Sequence, residues 1–304
     1  MKAIYIEKHG DFEVLKYGTV DDPKIGPNQV IVKIKAASIN HLDIWVRQGL
    51  PRFKVPLPLI LGSDGSGEIV ESNNPKYNFG DKIVIQPGTF DSKCYQVISG
   101  YENYSSSYGI LGETENGVQS EYVALNPENI YPKPNYLSFE EAASMQLVFM
   151  TAYQMLIKRA KISKRDRILI YGATSGVGSA AIQIAKYFNC KVFTTVGSIN
   201  KNEYAKKMGA DFIYNHNQKN WIENIKEDLK GNKIDIVFEH TGSHTWDNSL
   251  KLLAKGGRIV TCGATTGADV KLNLAHLFMK QQSILGSTMA SIQSFREVME
   301  LIDN

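Results

Sequence analysis

A turn made almost entirely of small residues follows a short apolar segment near the middle of the chain. Ile168–Ile170 is typical of a buried parallel strand, and the chain then runs through Gly172–Gly178 into an amphipathic helix. Small residues let backbone amides approach a pyrophosphate, and the helix that begins near Gly176 supplies unpaired N–H groups and the positive end of its dipole. This arrangement indicates a dinucleotide-binding turn. The residues expected to contact the dinucleotide are Gly172, Ala173, Thr174, Ser175, Gly176, Val177 and Gly178.

The glycine pattern of this turn departs from the strict dinucleotide fingerprint G-x-G-x-x-G. Ala173 and Ser175 stand at the first two glycine positions, and only Gly178 fills the third. The surroundings support the interpretation, because a strand precedes the turn, a helix follows it, and a second strand begins at Lys191. The spacing is that of a βαβ unit.

The residues after the second strand bear on which nicotinamide dinucleotide is bound. About twenty residues past the last glycine, NAD-preferring sites place an acid on the ribose 2′-hydroxyl, whereas this chain has Ser198 there. Because no carboxylate would repel a 2′-phosphate and Lys201 would attract one, the sequence favours NADP(H) over NAD(H). An alternative stays open, in which Ser198 only makes a turn and Lys201 is a solvated helix residue.

Length and composition are those of a globular protein with two domains. The chain has 304 residues, of which 43% are hydrophobic, and this length exceeds what one hydrophobic core usually supports. Its net charge of +3 comes from 34 basic and 31 acidic residues that are well mixed, so we expect no nucleic-acid partner. No apolar run reaches the ~18 residues of a membrane helix. Three scattered cysteines and the absence of a secretory segment favour a cytoplasmic location.

The pattern of elements changes partway along the chain. The first third is rich in short strands, which is typical of an antiparallel or barrel-like domain. Ser138 and Glu141 form a capping box that opens a helix, and from there strands and helices alternate as in a doubly wound parallel sheet. In such a sheet the dinucleotide lies at the carboxyl ends of the strands. That placement adds the expected cofactor contacts Tyr214, Thr241, Gly263, Ala264 and Ser287.

Three further segments, together with the coenzyme turn, resemble the medium-chain dehydrogenase/reductase superfamily, which contains zinc alcohol dehydrogenases and quinone oxidoreductases. They are Ala36–Asp43, Leu61–Gly67 and Met150–Tyr153, and the resemblance extends over essentially the whole chain. It implies an α/β protein with an N-terminal twisted β-barrel (GroES-like) catalytic domain and a doubly wound parallel Rossmann domain. The expected ranges are 1–130 for the catalytic domain, 131–288 for the Rossmann domain, and 289–304 for the start of a C-terminal return to the catalytic domain.

The resemblance also carries expectations about the chain end and the assembly. Members of the superfamily continue for roughly 30 residues beyond the helix that follows Phe295, so we expect this chain to stop before its catalytic domain is complete. The last strand of the coenzyme domain, near Ser283–Ser287, is expected to pair with its counterpart in a homodimer or homotetramer.

Catalytic zinc is the point on which the resemblance and the residues disagree. In the alcohol dehydrogenases, two cysteines and a histidine bind the ion, and this chain has Asn40, Ser63 and Leu147 at those places. Leucine cannot ligate a metal, and an amide and a hydroxyl are poor zinc ligands, so no catalytic zinc is expected. His41 and Asp64 remain as donors for a metal in another geometry.

The second, structural zinc of the superfamily is also not expected. Its lobe corresponds to residues 91–105, where only Cys94 remains of four cysteines. Asp91, Val97 and Ser105 take the other three places, and such a set does not close a tetrahedral site. We expect the lobe to fold without metal.

Reduction of an activated double bond needs no metal ion. Hydride from nicotinamide goes to the electron-poor carbon, and hydrogen-bond donors meet the charge that develops on the carbonyl oxygen. By resemblance, Asn40 orients substrate or nicotinamide, His41 and Asp43 are candidates for ribose contact or proton relay, and Thr151 lies beside the nicotinamide. Structural alternatives stay open: Asn40 and Asp43 as helix caps, His41 as a satisfied polar residue and Thr151 as packing.

The sequence therefore predicts an NADPH-dependent oxidoreductase that acts on a small molecule such as a quinone, an enone or a related activated carbonyl compound. Two alternatives remain. One is an alcohol dehydrogenase that holds zinc on substituted ligands, and the other is a protein that binds NADPH without turnover.

Overall fold

The computed structural model describes residues 1–49, 54–91 and 95–303, which form two compact units. One unit comprises Met1–Leu147 together with the segment from Ser291 onward, and the other is Val148–Ala290. No helix within the described ranges combines the length and the apolar character that a membrane crossing requires.

Antiparallel sheets of short strands form the first unit. The strands are β1 (Lys2–Ile6), β2 (Lys16–Thr19), β3 (Val30–Ala37), β4 (Leu59–Ile60), β5 (Gly65–Ser72), β6 (Lys82–Ile85), β7 (Gly88–Thr89), β8 (Gly109–Ile110), β9 (Tyr122–Leu125) and β10 (Ile130–Pro132). They make a five-stranded sheet in the order β10-β6-β5-β3-β9, a three-stranded sheet β2-β1-β4 and the pair β7-β8. In β3, Val30 and Val32 are buried while Lys33 and Lys35 are exposed, so one face of the sheet covers the core.

Short helices accompany these sheets. They are α1 (His41–Gln48), α2 (Tyr95–Ile98) and α3 (Phe139–Ala143). The next helix along the chain, α4 (Gln146–Tyr153), includes the boundary between the two units and continues into a π-helical segment, Gln154–Arg159. The predicted capping box opens α3, because the Ser138 hydroxyl accepts a hydrogen bond from the Glu141 N–H and the Glu141 carboxylate accepts one from the Ser138 N–H.

The second unit contains one parallel six-stranded sheet, which confirms the predicted doubly wound architecture. Its strands are β11 (Arg167–Ile170), β12 (Lys191–Val196), β13 (Phe212–Asn215), β14 (Ile234–Glu239), β15 (Leu253–Thr261) and β16 (Ser283–Gly286). Its helices are α5 (Gly176–Tyr187), α6 (Asn202–Lys207), α7 (Trp221–Leu229), α8 (Ser243–Leu252) and α9 (Leu274–Met279).

The strand order of this sheet is β13-β12-β11-β14-β15-β16. The chain therefore builds outward from β11 in one direction and then returns to start β14 on its other side. The switch point of the sheet therefore lies between β11 and β14, and open α/β sheets bind ligands at the carboxyl ends of the strands at such a point.

The division between the units falls later than the sequence-based division at residue 130. Residues 131–147 belong with the first unit because β10 pairs with β6 and α3 packs against β3 and β5. The last helix, α10 (Ile292–Asp303), also belongs there, since the Glu102 carboxylate accepts a hydrogen bond from the Ile292 N–H and Tyr136 donates one to the Ile302 carbonyl.

Candidate active site

The turn after β11 is held in place by β12. Gly172 adopts a φ of 65°, a left-handed conformation that glycine tolerates without strain. Its N–H donates to Thr195 Oγ1 at 3.1 Å, and the Ala173 N–H donates to the Thr195 carbonyl at 2.9 Å. The neighbouring strand thereby fixes the path of the chain into α5.

Helix α5 starts directly after this turn. Ser175 Oγ accepts a hydrogen bond from the Gly178 N–H at 3.0 Å, and a Cβ at Gly178 would lie 2.2 Å from the Gly172 carbonyl oxygen. Only glycine permits that approach. The other first-turn N–H groups, those of Gly176 and Val177, have no acceptor within the helix and are available to an anion.

The two departures from the glycine fingerprint have structural reasons. Ala173 is fully buried and uses its N–H on β12, so its methyl group contributes to packing. Ser175 supplies the side-chain cap of α5, which a glycine would lack. Thr174, between them, is exposed. The backbone conformation of this turn is therefore held with side chains other than glycine at these two positions.

The loop after β14 lies beside this turn, because β14 is the other neighbour of β11. His240 Nε2 is 2.8 Å from the Tyr171 carbonyl oxygen, and Thr241 is partly exposed. The Thr241 carbonyl accepts a hydrogen bond from the Thr266 N–H at 2.8 Å, which joins this loop to the loop after β15. The sequence predicts that His240, Thr241 and Gly242 lie at the cofactor edge of the sheet, but it does not predict the contact between His240 and Tyr171, which depends on strand order.

The loops after β15 and β16 complete the carboxyl edge of the sheet. A Cβ at Gly263 would lie 3.2 Å from the His240 carbonyl oxygen, and Ala264 is exposed. Ser287 donates its N–H to the Thr261 carbonyl at 2.9 Å, while its buried Oγ has no hydrogen-bond partner within the described ranges. The structure thus collects these residues and the Gly172–Gly178 turn along one edge.

A histidine that carries no sequence motif lies next to Ser198 and Lys201. A Cβ at Gly197 would lie 3.6 Å from the His216 ring, and the His216 N–H donates to the Val196 carbonyl at 3.0 Å. Burial lowers the pKa of His216, and the Lys201 charge lowers it further. The end of β12 is therefore surrounded by groups that can donate hydrogen bonds to an anion.

Tyr214 does not lie at this surface, contrary to its place among the expected cofactor contacts. Its ring is part of the hydrophobic core with Trp221 and Phe193, and its hydroxyl donates to Asp228 at 2.7 Å. Burial and the Asp228 carboxylate raise the pKa of this hydroxyl. Side chains alternate along a strand, and residue 214 faces the helix layer.

A second set of polar residues surrounds the start of α1 in the first unit. Asn40 precedes the helix, and its backbone N–H donates to Asp43 Oδ2 at 2.6 Å. Asp43 Oδ1 accepts the Gly62 N–H at 3.1 Å, so both carboxylate oxygens hold backbone groups. Burial raises the pKa of Asp43, although the two N–H bonds oppose that shift. This arrangement suits positioning of the helix start better than proton relay.

The Asn40 side chain is oriented by a fully buried carboxylate. Its Nδ2 donates to Asp64 Oδ2 at 3.0 Å, and the Leu147 N–H donates to Asp64 Oδ1 at 3.0 Å. Burial raises the pKa of Asp64 to about 7, an effect that the hydrogen bonds from Asn40, Leu147 and Ser38 reduce and the charge of Asp43 increases. Asp64 therefore changes charge near neutral pH while in contact with the Asn40 amide.

The remaining two candidates lie in different surroundings. His41 is exposed, with its ring centroid 5.9 Å from that of Trp45. Thr151 is 6% exposed and lies one turn after Leu147 on α4. His41 is thus accessible for contact with a ligand, whereas Thr151 presents only a small part of its surface.

The residues at the catalytic zinc positions do not fit a zinc ion. Leu147 has a hydrocarbon side chain, the Asn40 amide is bonded to Asp64, and the Ser63 hydroxyl is fully buried with no partner within the described ranges. Across residues 1–49, 54–91 and 95–303, no group of three or more His, Cys, Asp or Glu side chains is placed to hold a metal. Zinc needs several thiolate, imidazole or carboxylate ligands.

The lobe that corresponds to the structural zinc region has other contacts in its described part. Cys94 lies outside the described residues. Tyr101 and Tyr104 stack with ring centroids 5.8 Å apart, and the buried Glu102 carboxylate binds the N-terminal N–H of α10. These contacts connect the lobe to the C-terminal helix.

Replacing Asp64 with asparagine should change how stability depends on pH. The folded protein keeps the Asp64 proton up to a pKa of about 7, whereas the unfolded chain releases it near 3.8. The free energy of unfolding therefore falls as the pH rises through that window, and Asp64→Asn removes this contribution. Relative to the wild type, the variant should gain stability between about pH 4 and about pH 7.5, measured by urea denaturation. A stability difference independent of pH would contradict the assigned proton.

Two family models match the chain. The one described as zinc-binding dehydrogenase covers residues 176–304, and the one described as alcohol dehydrogenase GroES-like domain covers residues 26–135. These matches agree with the strand-rich first unit and the parallel sheet of the second.

Individual proteins are similar over nearly the full chain. The quinone oxidoreductase of Mus musculus is 30% identical over 297 residues, which are 96% of this chain and 81% of that protein. A solved structure of an NAD-dependent alcohol dehydrogenase has a TM-score of 0.95 and 40% identity over 100% of this chain and 89% of its own. A crotonyl-CoA carboxylase/reductase in complex with NADP has a TM-score of 0.90 and 26% identity over 100% of this chain and 85% of its own.

Proposed function

Because the chain belongs to the medium-chain dehydrogenase/reductase superfamily and is an NAD(P)H-dependent oxidoreductase, we propose that it uses NADPH to reduce a quinone, an enone or a related activated carbonyl compound without catalytic zinc. The observation that carries this proposal is the donor set around Asn40. An amide stands there in place of a metal ligand, and it can donate a hydrogen bond to an oxygen that gains negative charge.

The second unit would hold the dinucleotide with groups already described. A bound nicotinamide supplies hydride from its C4 atom. The free amides of Gly176 and Val177 would bind the pyrophosphate, and Ser198, Lys201 and His216 would contact the 2′-phosphate. The partly exposed Thr241 side chain would bind nearer the nicotinamide end.

The first unit would supply the polar contact to the substrate. One Nδ2 hydrogen of Asn40 is used on Asp64, and the second is directed elsewhere. That second hydrogen can donate to a substrate carbonyl oxygen, where it stabilises developing charge more than neutral charge. Above its pKa of about 7, the ionised Asp64 carboxylate would keep the amide nitrogen turned toward itself and so fix which hydrogens Asn40 presents.

Purified protein should oxidise NADPH in the presence of quinones or short enones, with zinc measured on the same sample. We expect turnover with at least one acceptor and zinc well below one equivalent. Stoichiometric zinc together with alcohol oxidation would support the alternative, an alcohol dehydrogenase that holds zinc on substituted ligands. Similarity to the NAD-dependent alcohol dehydrogenase is the observation in favour of that alternative. Tight NADPH binding without turnover on any acceptor would instead indicate a binding protein.

Glutamate in place of Ser198 should reverse the cofactor preference. The new carboxylate would repel the 2′-phosphate and accept hydrogen bonds from an unphosphorylated ribose. We expect KM for NADPH to rise about a hundredfold while KM for NADH stays level or falls. Steady-state kinetics with both cofactors and one quinone measures the change.

Replacement of Lys201 gives a second test of the proposed 2′-phosphate subsite. Lys201→Ala should raise KM for NADPH about tenfold, because a charge-assisted hydrogen bond is lost, and should leave KM for NADH unchanged. Equal effects on both cofactors would contradict a 2′-phosphate subsite. A wild type that prefers NADH, like the NAD-dependent relative, would overturn the assignment of NADPH.

We also propose that the protein forms a homodimer or homotetramer through β16. This strand lies at an edge of the six-stranded sheet and pairs on one side with β15. Pairing with β16 of a second copy would satisfy its outer backbone groups. Light scattering at assay concentration should give at least a dimer, and a monomer would contradict the proposal.

A further inference from the structure

Glu239 ends β14 as a fully buried carboxylate at the carboxyl edge of the parallel sheet. Burying a carboxylate is costly unless several hydrogen bonds compensate for lost water. Its position, directly before the loop that contains Thr241, suggests that those hydrogen bonds serve the loop.

Both oxygens of Glu239 accept hydrogen bonds, and they face different partners. Oε1 accepts the Thr241 N–H at 2.8 Å and the Gly242 N–H at 3.2 Å. Oε2 accepts the Ser249 hydroxyl at 3.0 Å, and Thr245 Oγ1 lies 2.9 Å from each oxygen. One oxygen thus holds the loop, and the other is anchored on α8.

The same loop is fixed by its second neighbour. The Thr241 carbonyl accepts hydrogen bonds from both the N–H and the hydroxyl of Thr266, each at 2.8 Å. Gly242 adopts a φ of 98°, and a Cβ there would lie 2.4 Å from the Gly267 carbonyl oxygen. The Thr241 and Gly242 amides and the Thr241 carbonyl are therefore all bonded within the protein.

We propose that Glu239 is the positioning residue of the nicotinamide-side loop: its carboxylate takes up the Thr241 and Gly242 amides so that the Thr241 side chain is held ready for the dinucleotide. Preorganisation of this kind lowers the cost of ordering a loop when the ligand binds. The inference rests on the proposed use of this edge for a nicotinamide dinucleotide.

Two conservative variants of Glu239 separate the effect of side-chain length from the effect of charge. Glu239→Gln keeps the length, and its carbonyl oxygen can still accept both loop amides while its nitrogen donates to the Ser249 hydroxyl. Glu239→Asp keeps the charge but draws the carboxylate back by one methylene. If Glu239 acts by holding the loop, glutamine should substitute for it better than aspartate does.

The test is a fluorescence titration of the full-length protein with NADPH and with NADH, which requires no turnover. We expect Glu239→Gln to bind within about threefold of the wild type, Glu239→Asp to bind about tenfold more weakly, and Glu239→Leu to bind about thirtyfold more weakly. Ser249→Ala serves as the matched control, because it removes the hydroxyl that contacts Glu239 Oε2, Tyr171 and the Thr245 carbonyl and leaves both loop-amide bonds of Glu239 Oε1 in place. It should bind within about threefold of the wild type.

The outcomes distinguish the positioning role of Glu239 from the proposed NADPH-dependent reduction. Wild-type affinity in a folded Glu239→Asp or Glu239→Leu variant would overturn the positioning role, as would a glutamine variant weaker than the aspartate one. If Glu239→Leu does not fold, the positioning role is tested by whether Glu239→Gln binds NADPH more tightly than Glu239→Asp does. Normal binding by the wild type without reduction of any acceptor removes the proposed reaction and leaves the Glu239 result valid. Failure of the wild type to bind either dinucleotide overturns both.

Discussion

Alanine in place of Gly178 should abolish dinucleotide binding. The new Cβ would lie 2.2 Å from the Gly172 carbonyl oxygen and 2.7 Å from Ser175 Oγ, so the turn and the first turn of α5 must separate. That shift removes the cap of α5 and displaces the amides offered to the pyrophosphate. We expect Kd for NADPH to rise at least about a hundredfold, with a loss of about 1–3 kcal/mol in the free energy of unfolding.

Gly18→Ala is the matched control for this substitution. Gly18 lies in β2, and a Cβ there would meet only the side chain of Tyr5, at 3.3 Å. This variant should keep both stability and NADPH affinity within the error of the measurements, which are a fluorescence titration and urea denaturation. A folded Gly178→Ala variant with wild-type affinity would show that the dinucleotide binds elsewhere.

Loss of the Asn40 side chain should have the largest effect on turnover. In Asn40→Ala the donor proposed for the substrate oxygen is absent, and we expect kcat to fall about a hundredfold to a thousandfold. The start of α1 should persist, because the Asp43 carboxylate binds the backbone N–H of residue 40. Kd for NADPH should stay unchanged. Stopped-flow oxidation of NADPH with a quinone, and a titration without acceptor, measure the two quantities.

Asn73→Ala controls for the general loss of a side-chain amide. Asn73 donates to the Gly26 carbonyl at 3.1 Å in the same unit and has no place in the proposed chemistry. Its replacement should leave kcat unchanged. Equal losses in the two variants, or an Asn40→Ala variant with normal kcat, would assign Asn40 a purely structural role.

Local patterns in the sequence were enough to predict the strand, turn and helix around Gly172–Gly178 and the parallel sheet. The apolar run before Gly172 and the cap at Ser175 act within a few residues of each other, so their consequences can be derived from spacing alone. The capping box at Ser138 is likewise local, and the structure contains it.

The contacts that sequence reasoning missed join distant segments of the chain. His240 meets Tyr171 because β14 adds beside β11, and His216 meets Gly197 because β13 adds beside β12. Neither contact follows from spacing along the chain. Tyr214 was assigned to the cofactor from its place near a strand end, and the direction of its side chain is fixed by packing on α7.

The assignment of residues 131–147 depended on a change of pattern at Ser138. A helix following a strand-rich segment suggested a new domain, yet α3 packs on β3 and β5 of the first unit. The apolar face of an amphipathic helix can pack against the unit before it or the unit after it in the chain, and the sequence of α3 does not indicate which.

The residue that precedes α1, Asn40, is held through its backbone N–H. The Asp43 carboxylate accepts a hydrogen bond from this N–H, which every amino acid except proline has, so the contact does not depend on which side chain stands at position 40. Exchange of a thiol for an amide at position 40 would leave this contact in place. A side chain that binds a metal and one that donates a hydrogen bond could therefore occupy position 40 on the same backbone.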